Sequence, residues 1–383
     1  MSDAPRIYLD HNATTPVDAR VLAAMLPTLR ENFANAASPH RAGEAAAAAV
    51  DRARGQVAAL LGADPREIVW TSGATESNNL ALKGVAASSV HAARRRHIVT
   101  VRTEHLAVLD PCRHLAQQGF ELTVLGVDGQ GRVDLDALAA TLRDDTLLVS
   151  IMYANNETGV IHPVEDIGRL CKARGVLFHT DATQAFGRCP IDVEAMGIDL
   201  LSLSAHKAYG PKGAGALYVR RRRPRVRCEP LLHGGGHERG RRSGTLNVPG
   251  IVGLGAAAEI CAREMDGEWS RLGRLRNHLE KELVHLVAGT TVHGEGARRL
   301  ANTSNMSFPG RSSESLMKKM PEIAVSSSSA CTSATRMPSY VLAAHGLAGD
   351  VIRSSIRFSL GRSTTDDEIE QTIRRVAACC QAA

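Results

Sequence analysis

The sequence predicts an α/β protein: a large, mostly parallel sheet covered by helices, joined to a smaller α+β domain. Three observations carry this. Between about residues 66 and 220, short runs rich in β-branched residues alternate with stretches whose apolar residues recur at helical spacing. After the segment GTLNVPG the texture changes to one long helical run, then to short strands mixed with helices. Finally, residues of chemical interest collect at the carboxyl ends of strand runs, where open α/β sheets bind ligands.

In order, the strand runs are EIVWTS, HIVTV, ELTVLGV, TLLVSIMYA, VLFHTD, DLLSLS and GALYV. Between them HLAVLDPCRHLAQQG, DLDALAATL and VEDIGRLCKARG read as helices, two of them closed by glycine. The alanine-rich stretch GEAAAAAVDRAR is helix-friendly packing without functional content. Residues 250–287 read as a long connecting helix. Beyond it NTSNMSF, EIAVS and SSIRFSL are strand runs, and ESLMKKM, SYVLAAHGL and DDEIEQTIRRVAACC are helices. The stretch GLGAAA at 253–258 mimics a dinucleotide-binding pattern but follows Pro-Gly instead of a strand, so it is read as helix packing.

A chain of 383 residues with 44% hydrophobic and 22% charged residues is ordinary for a globular protein. No apolar run approaches the ~18 residues of a membrane span, and the start lacks the pattern of a signal peptide. A cytoplasmic protein is expected. The eight cysteines include no C-x-x-C pair, which favours free thiols over bridges or a zinc cage. The net charge of +6 is concentrated in AARRRH and VRRRRPRVR. Without interleaved aromatics these read as solvated loops rather than a nucleic-acid surface, and an acidic protein partner is compatible with them. His233 and His237 are spaced by glycines that preclude a helical zinc face, so no metal is expected.

Four features point to one chemistry. WTSGATESNN reads as a strand, a glycine turn and a helix opening, whose free N–H groups and Thr75 hydroxyl make a phosphate cradle; a capped helix without ligand is the alternative. Asp181 follows the apolar run VLFHTD; it is either a plain turn residue or the carboxylate that keeps a pyridine nitrogen protonated. Lys207, in LSLSAHKAYGPKG, ends the next strand run between Ser204 and His206. A lysine so placed can form an imine with an aldehyde cofactor, and with Asp181 and the cradle upstream that reading overtakes an exposed terminus. Cys331 stands in AVSSSSACTSATRMPSY, a run of small hydroxyl residues suited to an exposed loop at about 324–340, where a thiol can act as a nucleophile. The other cysteines read as small apolar fillers.

Together TSGATES, TEHLAVL, ANNETG, HTDATQA, HKAYGPKG, GGGHERGRRSGT and SACTSA resemble the cysteine desulfurases that serve iron–sulfur cluster assembly and nitrogen fixation. The resemblance spans nearly the whole chain, from YLDHNATTPVD to SSIRFSLGRSTTDDEI. It implies the fold type I (aspartate aminotransferase-like) architecture of pyridoxal 5'-phosphate enzymes, in a homodimer. The large cofactor-binding domain would comprise 17–261, and the small domain 1–16 with 262–383. Lys207 would hold the cofactor and move the substrate's α-proton, Asp181 would pair with the pyridine nitrogen, and His105 would stack on the ring and assist. Asn156 and Gln184 would bond the ring's phenolic oxygen. Ala74, Thr75, Ser204 and His206 would hold the phosphate, with Thr245 from the other subunit. Arg357, Asn35 and Asn156 would contact the substrate L-cysteine. Its sulfur would pass to Cys331 as a persulfide and on to a protein acceptor, leaving L-alanine.

Some positions depart from the family pattern. Ala34 and Ala36 flank Asn35 where glycine and proline are usual, Ala205 replaces a glycine before His206, and Ser328 replaces a glycine in the thiol segment. None removes a reacting group. A selenocysteine lyase or aminotransferase of the same fold is the nearest rival, and a non-catalytic scaffold or nucleic-acid binder using the arginine runs is the rival of another class. The acceptor is left open between iron–sulfur assembly, transfer-RNA thiolation and sulfur insertion into DNA.

Overall fold

The computed structural model describes residues 7–92, 95–222, 225–327 and 338–381. After β1 (Ile7–Tyr8), seven strands form the large sheet: β2 (Ile68–Thr71), β3 (His97–Val101), β4 (Glu121–Leu125), β5 (Thr146–Ser150), β6 (Leu177–Asp181), β7 (Leu200–Ser204) and β8 (Gly215–Val219). Their order is β2-β8-β7-β6-β5-β3-β4. β8 runs antiparallel to both its neighbours, and every other pairing is parallel. The α/β class and the mostly parallel sheet predicted above are what the structure shows. All residues of β2, β3 and β5–β8 are buried, which is why they read as apolar runs without strict alternation.

Polar residues inside this sheet pair across strands. The His97 ring bridges Thr146 and Thr123, each at 2.9 Å, while His179 bridges Ser150 at 2.8 Å and Ser202 at 3.0 Å. The Leu/Ser alternation of β7 is thereby explained: Ser202 completes the His179 bridge, and Ser204 is delivered to the strand's carboxyl end.

Three helices precede the second half of the sheet: α1 (Ala19–Arg30), α2 (Arg41–Leu61) and α3 (Ala74–Ala87). No helix was foreseen over 19–30, where Pro27 interrupts the pattern. The long helix spans Val248–Leu286 and packs closely along α2. A Cβ on its Gly255 would stand 2.6 Å from the Ala53 Cα, so GLGAAA is a helix-contact motif, as read. The same helix buries Ile251, Leu254 and Ala258 in the core of the large sheet, and Leu272, Leu275 and Leu279 in a second core.

That second core lies under a four-stranded antiparallel sheet of β9 (Thr291–Val292), β10 (Thr303–Ser307), β12 (Ser326–Ser327) and β13 (Ser355–Ser359), ordered β12-β13-β10-β9. β1 pairs in parallel with β11 (Ile323–Ala324), which brings Ile7 and Leu9 into the second core beside Phe308 and Phe358. Among the described residues, no helix is long and apolar enough to cross a membrane. The described cysteines are all free, and burial pushes the Cys112 and Cys189 thiols up to about 12, as fits apolar fillers.

Two buried histidines set a pH dependence of stability. Burial pulls both His162 and His179 down to about 4, with the neighbouring His345 adding to the effect at His162 and Asp181 opposing it at His179. Between about 4 and the unfolded value near 6.5, the unfolded chain binds the extra proton. Stability therefore falls as pH drops through that window, by up to about 1.4 kcal/mol per pH unit for each ring. Neither His162 ring nitrogen has a hydrogen-bond partner among the described residues, so His162→Leu is expected to flatten the slope of Tm against pH between 6.5 and 4.

Candidate active site

β6 and β7 are parallel neighbours, so their carboxyl ends open on the same edge of the sheet. Asp181 ends the first, and Lys207 sits in the single turn Ala205–Lys207 that follows the second. Between these strand ends and the start of α3 lies a cavity of about 570 Å³. That volume is in the range of small-molecule and cofactor pockets. Of the residues singled out from sequence, Ala74, Thr75, His105, Asn156, Asp181, Gln184, Ser204, His206, Lys207 and Arg357 all line it. Asn35 and Thr245 do not, and both are exposed. Cys331 and Ser328 lie outside the described residues.

The start of α3 bears on the choice left open by the sequence. Its N-cap is Gly73, at φ 154°, and no side chain caps the helix. Glu76, the carboxyl that a capping box would use, instead accepts the Ser72 N–H at 2.8 Å and pairs with Arg242 at 2.9 Å. The first N–H groups of α3 are thus left facing the cavity, with the helix dipole behind them, beside Ser204 and His206. His206 is pulled down to about 4 by burial and by Lys207, and its Nδ1 lies 3.1 Å from the Thr14 hydroxyl. A neutral ring there can still donate to an anion through Nε2.

Asp181 is held at both oxygens. Oδ2 accepts from the Asn78 side chain at 2.7 Å and Oδ1 from the Thr183 N–H at 2.9 Å. His105 caps the helix Leu106–Gln117, its Nδ1 accepting the Ala107 N–H at 3.0 Å. That contact places the proton of the neutral ring on Nε2, and burial holds its pKa below the usual histidine value. The Lys207 Nζ donates to the carbonyls of Asn12 at 2.5 Å and Ala13 at 2.6 Å. Arg357 is buried, its Nη2 on Asp10 at 2.7 Å and its Nη1 on the Asn156 carbonyl at 3.0 Å, while its Nε has no partner among the described residues.

Ala205, the departure beside His206, is accommodated because Gly210 faces it: a Cβ on Gly210 would lie 2.9 Å from that of Ala205. His237 serves as a turn contact, its Nδ1 accepting the Gly244 N–H at 3.2 Å.

Sequence reasoning missed several members of the site. Asn12 accepts Lys207 and Gln184 through its carbonyl, and its amide nitrogen donates to Thr303 at 2.9 Å. Asn78, in WTSGATESNN, carries no sequence signal for its bond to Asp181. Glu104 is fully buried beneath the floor, its carboxyl pushed well up by burial and by the Asp181 charge, and one oxygen accepts the Met152 N–H. The TEH motif was read for its histidine alone. Glu157, raised to about 7 by burial, accepts the Ser339 hydroxyl at 2.6 Å.

The residues present fit pyridoxal phosphate. A bare helix start suits a phosphate, an amine suits an aldehyde, and a doubly held carboxylate suits a ring nitrogen. The comparisons agree with this geometry. The aminotransferase class-V family matches residues 7–372. A cysteine desulfurase IscS of Anaeromyxobacter sp. (strain Fw109-5) is 56% identical over 371 residues, covering 97% of this chain and 91% of that protein. A solved NifS-like protein superposes with a TM-score of 0.90 at 40% identity, covering 97% of this chain and 98% of its own. A structure described as SspA in complex with cysteine superposes at 0.80 with 38% identity, covering 92% of this chain and 98% of that one.

Proposed function

The chain belongs to the aminotransferase class-V family and is a cysteine desulfurase dependent on pyridoxal phosphate, and from that premise we propose how its residues divide the work. When bound, the cofactor supplies an electron sink that lets the substrate's α-proton leave. Lys207 would hold the aldehyde and would carry that proton. Asp181 would keep the pyridine nitrogen protonated. His105 would border the ring and offer its Nε2 proton. Asn156 and Gln184 would bond the phenolic oxygen. The N–H groups of Ala74 and Thr75, with Ser204 and His206, would hold the phosphate.

Arg357 takes the carboxylate of L-cysteine. An arginine fork suits this task better than a point charge, so Arg357→Lys is expected to raise KM about tenfold or more with a smaller change in kcat. Asn35 is a further substrate contact. The Cys331 thiolate attacks the substrate sulfur: the carbon–sulfur bond breaks, a sulfur–sulfur bond forms, and the carbon fragment takes a proton and leaves as L-alanine. Ser326 lines the cavity five residues before Cys331, a tether of at most about 18 Å when extended. The persulfide then passes to an acceptor protein, and the identity to an IscS protein favours the iron–sulfur route over the others.

We further propose a homodimer working in the cytoplasm. Supporting it, α1 leaves Leu22, Leu26 and Leu29 exposed on one face, and Phe33 just beyond is 76% exposed, close in sequence to Asn35. Thr245, exposed in this chain, is offered to the phosphate of the other subunit. Free thiols suit a reducing compartment.

The observation that carries the reading is the convergence of the Lys207 amine, the Asp181 carboxylate and an uncapped helix start on one cavity. The test is incubation with L-cysteine, scoring alanine and the protein's mass. One alanine per turnover and a 32 Da gain on Cys331, absent in Cys331→Ala, are expected. Alanine formed equally by Cys331→Ala would remove the thiol from the mechanism.

A further inference from the structure

Arg188 is absent from every role assigned above, yet it touches more of the site's framework than any catalytic group. Its Nη1 donates to the Gln184 Oε1 at 2.5 Å and to the Asn12 Oδ1 at 3.1 Å. Its Nη2 donates to the Lys207 carbonyl at 3.0 Å and reaches the His11 carbonyl at 3.4 Å. One planar fork thus joins the turn after β6, the turn after β7 and the segment after β1.

Every printed hydrogen bond of Arg188 among the described residues goes to a neutral oxygen, and its half-buried side chain lies beside a small pocket of about 20 Å³. Burial pulls its pKa down; Tyr209, Cys189, Cys261 and Glu268 act in the opposite sense. His11 and His206 are in turn held down partly by it. A half-buried cation that donates to neutral oxygens in place of a carboxylate is costly unless its geometry serves something.

We infer that Arg188 is a positioning residue that fixes the Gln184 amide so that only its N–H₂ end can face the cofactor's phenolic oxygen. The logic is one of inventory. An amide has one acceptor end and one donor end, and its two faces are nearly the same shape. With Oε1 held by Arg188, the nitrogen must point the other way, where it donates to the Asn12 carbonyl at 3.0 Å and borders the cavity. A donor there stabilises an ionised ring oxygen. Flipped, the amide would present its own oxygen and repel it. Arg188 also grips the carbonyl of Lys207 itself, so amide and amine are referred to one rigid group.

The inference rests on the cofactor reading above, and the test separates the two. The visible absorbance of the bound cofactor changes with pH as the imine nitrogen gains or loses its proton. A well-stabilised ring oxygen attracts that proton less and lowers the midpoint. In Arg188→Met holoenzyme the midpoint is expected to rise by about one pH unit, the scale set by loss of one charged or hydrogen-bonded neighbour. Arg188→Lys keeps a charge but cannot span Gln184 and Lys207 together, so it is expected to rise as well, and it carries the test if the Met variant does not fold. In a Gln184→Ala background, Arg188→Lys should add little further shift. An unmoved midpoint in Arg188→Lys, or a full shift persisting without Gln184, overturns the inference. A wild-type protein that never becomes yellow with pyridoxal phosphate overturns the cofactor reading and this one with it.

Discussion

Lys207→Ala is expected to abolish the covalent link to the cofactor and to cut alanine formation by about 10³-fold or more, on the scale of losing a proton-transfer group and a covalent tether together. The geometry makes the prediction sharp. The Lys207 amine is held by two backbone carbonyls, at Asn12 and Ala13, which no side-chain exchange nearby replaces. Its backbone is fixed separately, by Arg188 and by the turn Ala205–Lys207. Removing the side chain should therefore leave the cavity walls in place. Pyridoxal phosphate should still bind through the start of α3, but borohydride should no longer fix it to the protein. The checks are a reductive-trapping mass measurement and the rate of alanine release. A variant that keeps a borohydride-stable adduct at another lysine, with near-normal turnover, would reassign the amine; Lys212, which also lines the cavity, would be the first place to look.

The strand ends that border the cavity were legible because β6 and β7 are buried on both faces. VLFHTD and DLLSLS are runs built on buried leucine, valine and phenylalanine that end at a polar residue, and in a parallel sheet both ends fall on one edge. The direction of β8 was not legible. GALYV reads the same whichever way it runs, and only pairing with β2 and β7 fixes it. α1 was missed because Pro27 interrupts its pattern; its Leu22, Leu26 and Leu29 face outward, and nothing among the described residues covers that stripe.

The amide framework was hidden for a different reason. Asn12 and Gln184 are far apart in sequence, and neither motif signals which oxygen of the other it will meet. Asn155 illustrates the contrast: its amide caps its own turn, accepting the Glu157 N–H at 2.8 Å and the Thr158 N–H at 3.0 Å, a pattern that ANNETG shows locally. Thr245 and Asn35 rest on family resemblance alone, and neither is among the described residues that line the cavity.

The second large effect concerns the glycine-rich loop that presents Thr245. Glu238 and Arg239 both take positive φ, 50° and 58°, a conformation that costs a non-glycine residue of order 1 kcal/mol or more. The loop tolerates it because Glu238 is anchored. Its carboxylate accepts both Arg54 Nη atoms, at 2.8 and 2.9 Å, and the Trp70 N–H at 3.0 Å, while the Arg54 guanidinium stacks 5.2 Å from the Trp70 ring centre. Arg54 and Glu238 are only 6% and 8% exposed. Glu238→Ala strands a guanidinium away from water and is expected to cost about 3–5 kcal/mol, read as a lower urea midpoint at unchanged slope. The double variant Arg54→Met/Glu238→Leu removes both charges, so it should recover much of that loss. It should not recover the loop, whose strained turn no longer has its anchor. If Thr245 reaches a second subunit's phosphate as proposed, the double variant should fold well yet hold pyridoxal phosphate more weakly than the parent. A double variant with parental stability and parental cofactor affinity would show that the buried pair positions nothing.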